Sequence, residues 1–110
     1  MLNSQFKKGS AELLILSVLE QEQHHGYEIG KLIERRSGGK LQFQASSLYP
    51  ILCRLEKRGL IKGRWVEQAG KRRRKFYRLT EKGQTALGSA RDTWSDFADA
   101  MNQVLEWDRA

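Results

Sequence analysis

A chain of 110 residues is one small domain's worth, which excludes a two-domain enzyme. Lys and Arg number 20 against 13 Asp and Glu, a formal charge of +7. The partner this implies is a polyanion, nucleic acid first and an anionic membrane surface second. A hydrophobic share of 39% makes a thin core, so part of the apolar surface is expected between subunits.

Cys53 is the single cysteine, so no internal disulfide forms and a reducing compartment is implied. The apolar run from Ala11 to Leu19 is broken by Glu12 and Ser17 and is shorter than the ~20 residues of a spanning helix. A cytoplasmic location and no membrane partner are expected. Residues 1–79 hold 17 basic and 7 acidic side chains, while residues 80–110 hold 3 and 6. Net charges of +10 and −3 give 1–79 and 80–110 different roles, with the seam near Thr80.

In chain order, Ser10 caps a predicted helix over 11–21 with a broad apolar stripe of Leu13, Leu14, Ile15, Leu16, Val18 and Leu19. Gln21 to Gly26 is polar and breaks it. A second helix is predicted over 26–36, with Tyr27, Ile29, Gly30 and Ile33 or Leu32 inward, and is stopped by Ser37-Gly38-Gly39-Lys40. Leu41-Gln42-Phe43 alternates over too few residues to exceed a stub of strand. The third helix starts at Ser46 or Ser47, with Pro50 in its first turn, a buried stripe of Leu48, Ile51, Leu52 and Leu55, and Gly59 as its stop.

Strands over 61–67 and 75–79 flank Gly70 and read as a β-hairpin with a basic tip. Thr80 caps the last helix, from Glu81 to Trp107, ~40 Å long at ~1.5 Å per residue. Its apolar positions Leu87, Ala90, Trp94, Phe97, Met101 and Val104 step by 3, 4, 3, 4 and 3, a heptad seam. One small domain cannot cover that seam, so a homodimer interface on these six residues is expected. The fold class is mainly α with a small β-hairpin: a winged helix-turn-helix followed by a long dimerisation helix.

Two groups point to double-stranded DNA. Lys71, Arg72, Arg73, Arg74 and Lys75 are five consecutive cations on one hairpin. Such a run repels itself and gains when phosphates replace its counterions. Ser46, Ser47, Tyr49, Pro50 and Arg54 lie at the start of the helix that would enter the major groove, where hydroxyls and a guanidinium meet phosphates or base edges. One serine can also serve only as a cap, and Tyr49 can also be a core aromatic. The cations sit on a hairpin tip, not along an apolar-backed helix, which argues against a membrane-surface module.

Gly9-Ser10, His25-Gly26-Tyr27-Glu28-Ile29, Ser47-Leu48-Tyr49-Pro50 with Leu55-Glu56-Lys57-Arg58-Gly59-Leu60-Ile61, and Arg74-Lys75-Phe76-Tyr77-Arg78-Leu79-Thr80-Glu81-Lys82-Gly83 occur in that order. Together they resemble the PadR family of bacterial transcription regulators, over Gly9 to Trp94. The resemblance implies a winged-helix DNA-binding domain, a homodimer joined through the C-terminal helix, and repression at an inverted-repeat operator. A single C-terminal helix is similar to the family's short branch. In that branch a tryptophan at the place of Trp94 can line a pocket for flat hydrophobic compounds.

Around Trp94 the small residues Ala90 and Ala98 leave room for a gap lined by Trp94, Phe97 and Leu87 with Leu13 or Leu16, suited to a small planar hydrophobic effector. The other reading is that Trp94 simply fills the dimer core. His24 and His25 have no Cys or carboxylate at metal-ligand spacing, and Cys53 reads as a small, partly buried helix residue. Lys40 lacks the rest of a phosphate loop, and no hydrolase or zinc-protease motif occurs, so neither a cofactor nor catalysis is expected. The alternative to a repressor is an architectural protein that coats any duplex.

Overall fold

The computed structural model describes residues 4–67, 70 and 72–107, and the side chains of 10–67, 70 and 72–107. The elements are α1 (Ser4–Val18), β1 (His24–His25), α2 (Gly26–Arg36), α3 (Ala45–Lys57), β2 (Ile61–Val66), β3 (Arg74–Leu79) and α4 (Glu81–Leu105). The antiparallel sheet has the order β1-β3-β2, with His25 opposite Phe76, Gly63 opposite Tyr77 and Trp65 opposite Lys75.

The core is one apolar cluster drawn from every layer. Ile15, Leu16, Val18 and Leu19 of α1 meet Ile29 and Ile33 of α2 and Leu48, Leu52 and Leu55 of α3. Leu60, Ile61 and Tyr77 close it from the sheet side, and Leu87 closes it from α4. In α2 the buried pair Ile29 and Ile33 is spaced i, i+4, one face of a helix. That spacing turns Tyr27 outward, 64% exposed, against the inward position expected for it.

Glycines set the tightest approaches. α3 ends in a Schellman motif: the Gly59 N–H donates to Glu56 O and the Leu60 N–H to Leu55 O, with Gly59 at φ +76°. The turn drives the chain straight into β2. The first turn of α4 is pressed on this same corner. Thr80 caps α4, its Oγ1 accepting the Gly83 N–H at 3.0 Å, while the Thr80 N–H donates to Leu60 O at 3.1 Å. A Cβ on Gly83 would collide with that carbonyl oxygen of Leu60. Arg91 then ties α4 to Ser17 of α1 by one bond at 3.3 Å and to Glu20, just past the end of α1, by two at 2.8 and 3.0 Å.

Several expectations are corrected. α1 begins before Ser10, at Ser4, because one Gly and one Ser cost a helix too little to stop it, and it ends at Val18, before Gln21. The polar break carries β1, so the hairpin is two strands of a three-stranded sheet. Leu41 to Phe43 forms no strand. β2 closes at Val66, β3 opens at Arg74 and α4 ends at Leu105. The charge seam at residue 80 is not a packing seam, since Gly83 and Leu87 of α4 are buried in the body formed by the preceding residues.

Leu87, expected between two chains, is 1% exposed inside the core of its own chain. Leu16, expected to line a gap, is likewise buried at 3%. Leu13 is half-buried against the same cluster. Cys53 is exposed, not partly buried. No helix among the described residues is long and apolar enough to cross a membrane.

Two glycines of α4 give a matched test. Gly→Ala in an open helix interior stabilises by about 1 kcal/mol. Gly88 faces no atom within 4 Å, so Gly88→Ala should show that gain. Gly83→Ala should instead destabilise by about 1–3 kcal/mol, because the methyl must displace the Leu60 backbone. Urea unfolding of both variants at one protein concentration measures the two signs.

Candidate nucleic-acid interface

α3 presents one face to solvent. Ser46, Ser47, Tyr49, Pro50, Cys53, Arg54 and Lys57 are exposed, opposite the buried Leu48, Leu52 and Leu55. The helix opens at Ala45 behind Gln44, whose side chain makes no capping bond, so neither serine is the cap. That earlier start puts Pro50 at the sixth helical residue instead of the first turn. Its ring removes the bond that a residue there would donate to Ser46 O.

Tyr49 is held by a glycine. Its ring lies over Gly26, where a Cβ would stand 2.7 Å from Cε1 and 2.9 Å from the hydroxyl. Gly30 similarly meets Leu48, with 3.4 Å from a virtual Cβ to Cδ2. α2 and α3 therefore cross closely enough to fix the tyrosine, which is still 47% exposed and not part of the core.

The wing is fastened to α3 by Glu56. Its Oε1 accepts from Lys75 Nζ at 2.9 Å and its Oε2 accepts the Gly63 N–H at 3.2 Å. A side chain at Gly63 would collide with Lys75 Cε, so the absence of one there lets the lysine cross the sheet to the helix. Lys75 holds the Glu56 carboxyl below the usual carboxylate range, and Glu56 raises Lys75 in return. Lys75 also lies 5.5 Å from the Tyr77 ring centroid and 5.8 Å from that of Trp65, over which the Arg73 guanidinium sits at 4.9 Å. These cation–π contacts hold long cationic side chains in place without neutralising them.

A second tie joins the wing to α2. Arg74 Nη1 lies 2.8 Å from His25 Nε2, and His25 Nδ1 accepts the Glu28 N–H at 3.3 Å as the N-cap of α2. Burial, then the Arg74 charge, pushes His25 below the ordinary histidine value. Phe76 meets the imidazole edge-on at 5.4 Å, and Tyr27 stacks beyond it at 6.4 Å.

Between wing and helices lies a groove of about 730 Å³, lined by His25, Gly26, Tyr27, Tyr49, Trp65, Arg72, Arg73, Arg74, Lys75 and Tyr77. No carboxylate is among these residues. The structure thus brings Tyr49 together with Arg72, Arg73 and Arg74. Ser46, Ser47, Pro50 and Arg54 sit on the exposed face of α3 outside this lining, and Lys71 lies outside the described residues. His25, Tyr27 and Trp65 were not among the expected site residues. Trp65 was detectable as the aromatic pairing across the strands with Lys75, but β1, which carries His25, left no trace in the sequence pattern.

On α4, beyond the half-buried Ala90, the seam is open. Trp94 is 42% exposed, Phe97 51%, Met101 45% and Val104 75%, and the Trp94 and Phe97 rings lie 5.8 Å apart. No group of three potential metal ligands occurs among the described residues.

A model of the "Transcriptional regulator PadR-like family" matches residues 15–89. A transcriptional regulator from Clostridium thermocellum superposes with a TM-score of 0.83 at 30% identity, covering 91% of this chain and 97% of that one. Transcriptional regulator YqjI of Escherichia coli is 36% identical over 87 residues, which are 79% of this chain and 40% of that protein. Bacillus subtilis PadR in complex with operator DNA superposes with a TM-score of 0.66 at 29% identity, over 72% of this chain and 45% of its own.

The Glu56 clasp has a pH signature. A carboxyl whose folded pKa is depressed stabilises the fold above its unfolded pKa, and that contribution disappears as pH falls through the lower folded value. Glu56→Ala should cost about 1 kcal/mol near neutrality, the discounted value of a charged hydrogen bond in a partly exposed site. It should cost less in acid, as the pH falls below the ordinary carboxylate range and the wild-type carboxyl is itself protonated through its lowered folded value. Exchange of the Gly63 amide, followed by NMR, should quicken in the variant.

Proposed function

The chain belongs to the transcriptional regulator PadR-like family, and we propose that it acts as a homodimeric, sequence-specific DNA-binding repressor at an inverted-repeat operator. The observation that carries this reading is the groove between wing and α3. Exposed guanidiniums from Arg72, Arg73 and Arg74 and the half-exposed Tyr49 converge there, with no carboxylate among the described lining residues. Phosphates would neutralise the wing, while Ser46, Ser47, Tyr49, Pro50 and Arg54 on α3 would meet base edges. Lys71 joins the wing set by sequence. The binding of operator DNA by the similar Bacillus subtilis PadR supports the same use of this fold.

Dimerisation is assigned to α4. Its outer half carries Trp94, Phe97, Met101, Val104 and Leu105, all exposed on one chain, with the exposed Trp107 just beyond its end. Large apolar side chains repeating along one helix match the surface a second copy would cover. Ala90 stands at the inner edge of that face, and the buried Leu87 is excluded from it. A small planar hydrophobic effector would enter the same interface beside Trp94 and Phe97, with Leu13, half-buried on α1, kept from the sequence reading as a further lining residue. The architectural reading predicts equal affinity for all duplexes and no effector.

Affinity and specificity should separate by element. Arg72→Ala with Arg73→Ala should weaken binding to every duplex and flatten its salt dependence by ~0.9 in logarithmic slope for each phosphate no longer neutralised. Tyr49→Phe or Arg54→Ala should instead lower the preference for operator over random sequence. Titrations at several salt concentrations, with a duplex recovered from genomic fragments and a scrambled one, measure both. Unchanged affinity and slope in the wing pair contradicts the assignment.

Phe97→Glu with Met101→Glu would place like charges across the two-fold axis. Sedimentation should show a wild-type dimer and a monomeric or unfolded variant. A wild-type monomer at micromolar concentration contradicts the dimer.

A further inference from the structure

We propose that Gly26 is a positioning residue for operator recognition: the lack of a side chain there sets where the Tyr49 hydroxyl stands, and through it the sequence preference. The inference rests on the reading that α3 faces DNA, and adds to it a residue of α2. Nothing in its own backbone requires a glycine at this position. Gly26 opens α2 and its φ is not positive, so alanine fits the conformation and is the better helix former. Nor does the crossing of α2 and α3 demand it. One turn on, a Cβ at Gly30 would stand 3.4 Å from Leu48 Cδ2, an ordinary contact. At Gly26 the three atoms nearest a Cβ all belong to Tyr49: Cε1 at 2.7 Å, the hydroxyl at 2.9 Å and Cζ at 3.0 Å.

The side chain so accommodated is not a core residue. Tyr49 is 47% exposed and outside the apolar cluster. Among the described residues its hydroxyl makes no hydrogen bond, so donor and acceptor are both free for a base edge. The ring also borders two open spaces. One is the wing groove, and the other is a hollow of about 200 Å³ whose lining includes Tyr27, Gly30, Phe43 and Leu48. A ring pushed off Gly26 has somewhere to go.

These facts separate the effect of a methyl on the fold from its effect on recognition. Carbon atoms in contact sit about 3.5–4.0 Å apart, so the ring must retreat by about 1 Å. The retreating atoms are the far end of one side chain with space beside it, so the fold loses little. A hydrogen bond tolerates no such shift: an O–H···O contact made at about 2.7 Å is no longer one at about 3.7 Å. Gly83 is the contrast within this chain, since a Cβ there meets the backbone of Leu60. One glycine protects a fold contact, the other a recognition contact.

The test uses Gly26→Ala, Tyr49→Ala and the double variant. Each is titrated with a duplex recovered from genomic fragments and a scrambled duplex of equal length. Gly26→Ala should lower the ratio of the two affinities about fivefold, the worth of one hydrogen bond. Its salt slope should stay at the wild-type value, because no charge has moved. In the Tyr49→Ala background, Gly26→Ala should change the ratio no further. An unchanged ratio in Gly26→Ala, or an equal loss with and without the Tyr49 ring, overturns the proposal and leaves DNA binding intact. If Gly26→Ala does not fold, the double variant decides. Freed of the ring, it should fold and show the ratio of Tyr49→Ala alone; failure of both to fold overturns the proposal. A wild-type ratio in Tyr49→Ala removes the reading of α3 beneath it, and the proposal with it.

Discussion

The arrangement of this surface depends on one carboxylate. Glu56 sits on α3 and holds both strands of the wing, Lys75 by charge and Gly63 by its amide, so the helix that carries Tyr49 and Arg54 and the hairpin that carries Arg72 to Arg74 move as one body. A two-stranded hairpin is only marginally stable by itself. Here it gains a third strand at β1, the Glu56 clasp and the burial of Ile61 and Tyr77 in the common core. Clustered guanidiniums would otherwise swing apart under their own repulsion. Fixing the hairpin at Gly63 and Lys75 keeps them on the α3 side.

The long helix is anchored in a similar way. Its inner end is part of the core through Gly83 and Leu87, and Arg91 ties it to α1. Its outer end exposes Trp94, Phe97, Met101, Val104 and Leu105. The body and the exposed seam are therefore mechanically continuous: a force applied at the outer half of α4 is delivered to the Leu60 corner, directly behind the junction of α3 and β2.

Much of this was legible in the sequence because it rests on local chemistry. Thr80 as a cap, Gly59 in the left-handed region, the leucine stripe of α3 and the strands flanking Gly70 each follow from a residue's own conformational preference or a short periodicity. The misses are contacts between distant segments. β1 is two residues long and exists only because β3 offers an edge. Tyr27 faces out because the isoleucine pair wins the inward face, and Leu87 faces in because Gly83 brings α4 close enough to bury it. The site shows the same division. The cations and Tyr49 were readable as residue types, whereas His25 and Trp65 belong to the site through pairing partners that lie 49 and 10 positions away, at Arg74 and Lys75.

The central claim is that two copies of this surface read DNA as a two-fold pair. Hydroxyl-radical footprinting of the purified chain on a fragment selected from genomic DNA tests it most directly. The account predicts two protected segments related by a dyad, with centres about one helical turn (~34 Å) or a multiple apart. Uniform protection along the duplex, or a single unpaired segment at saturation, would contradict it.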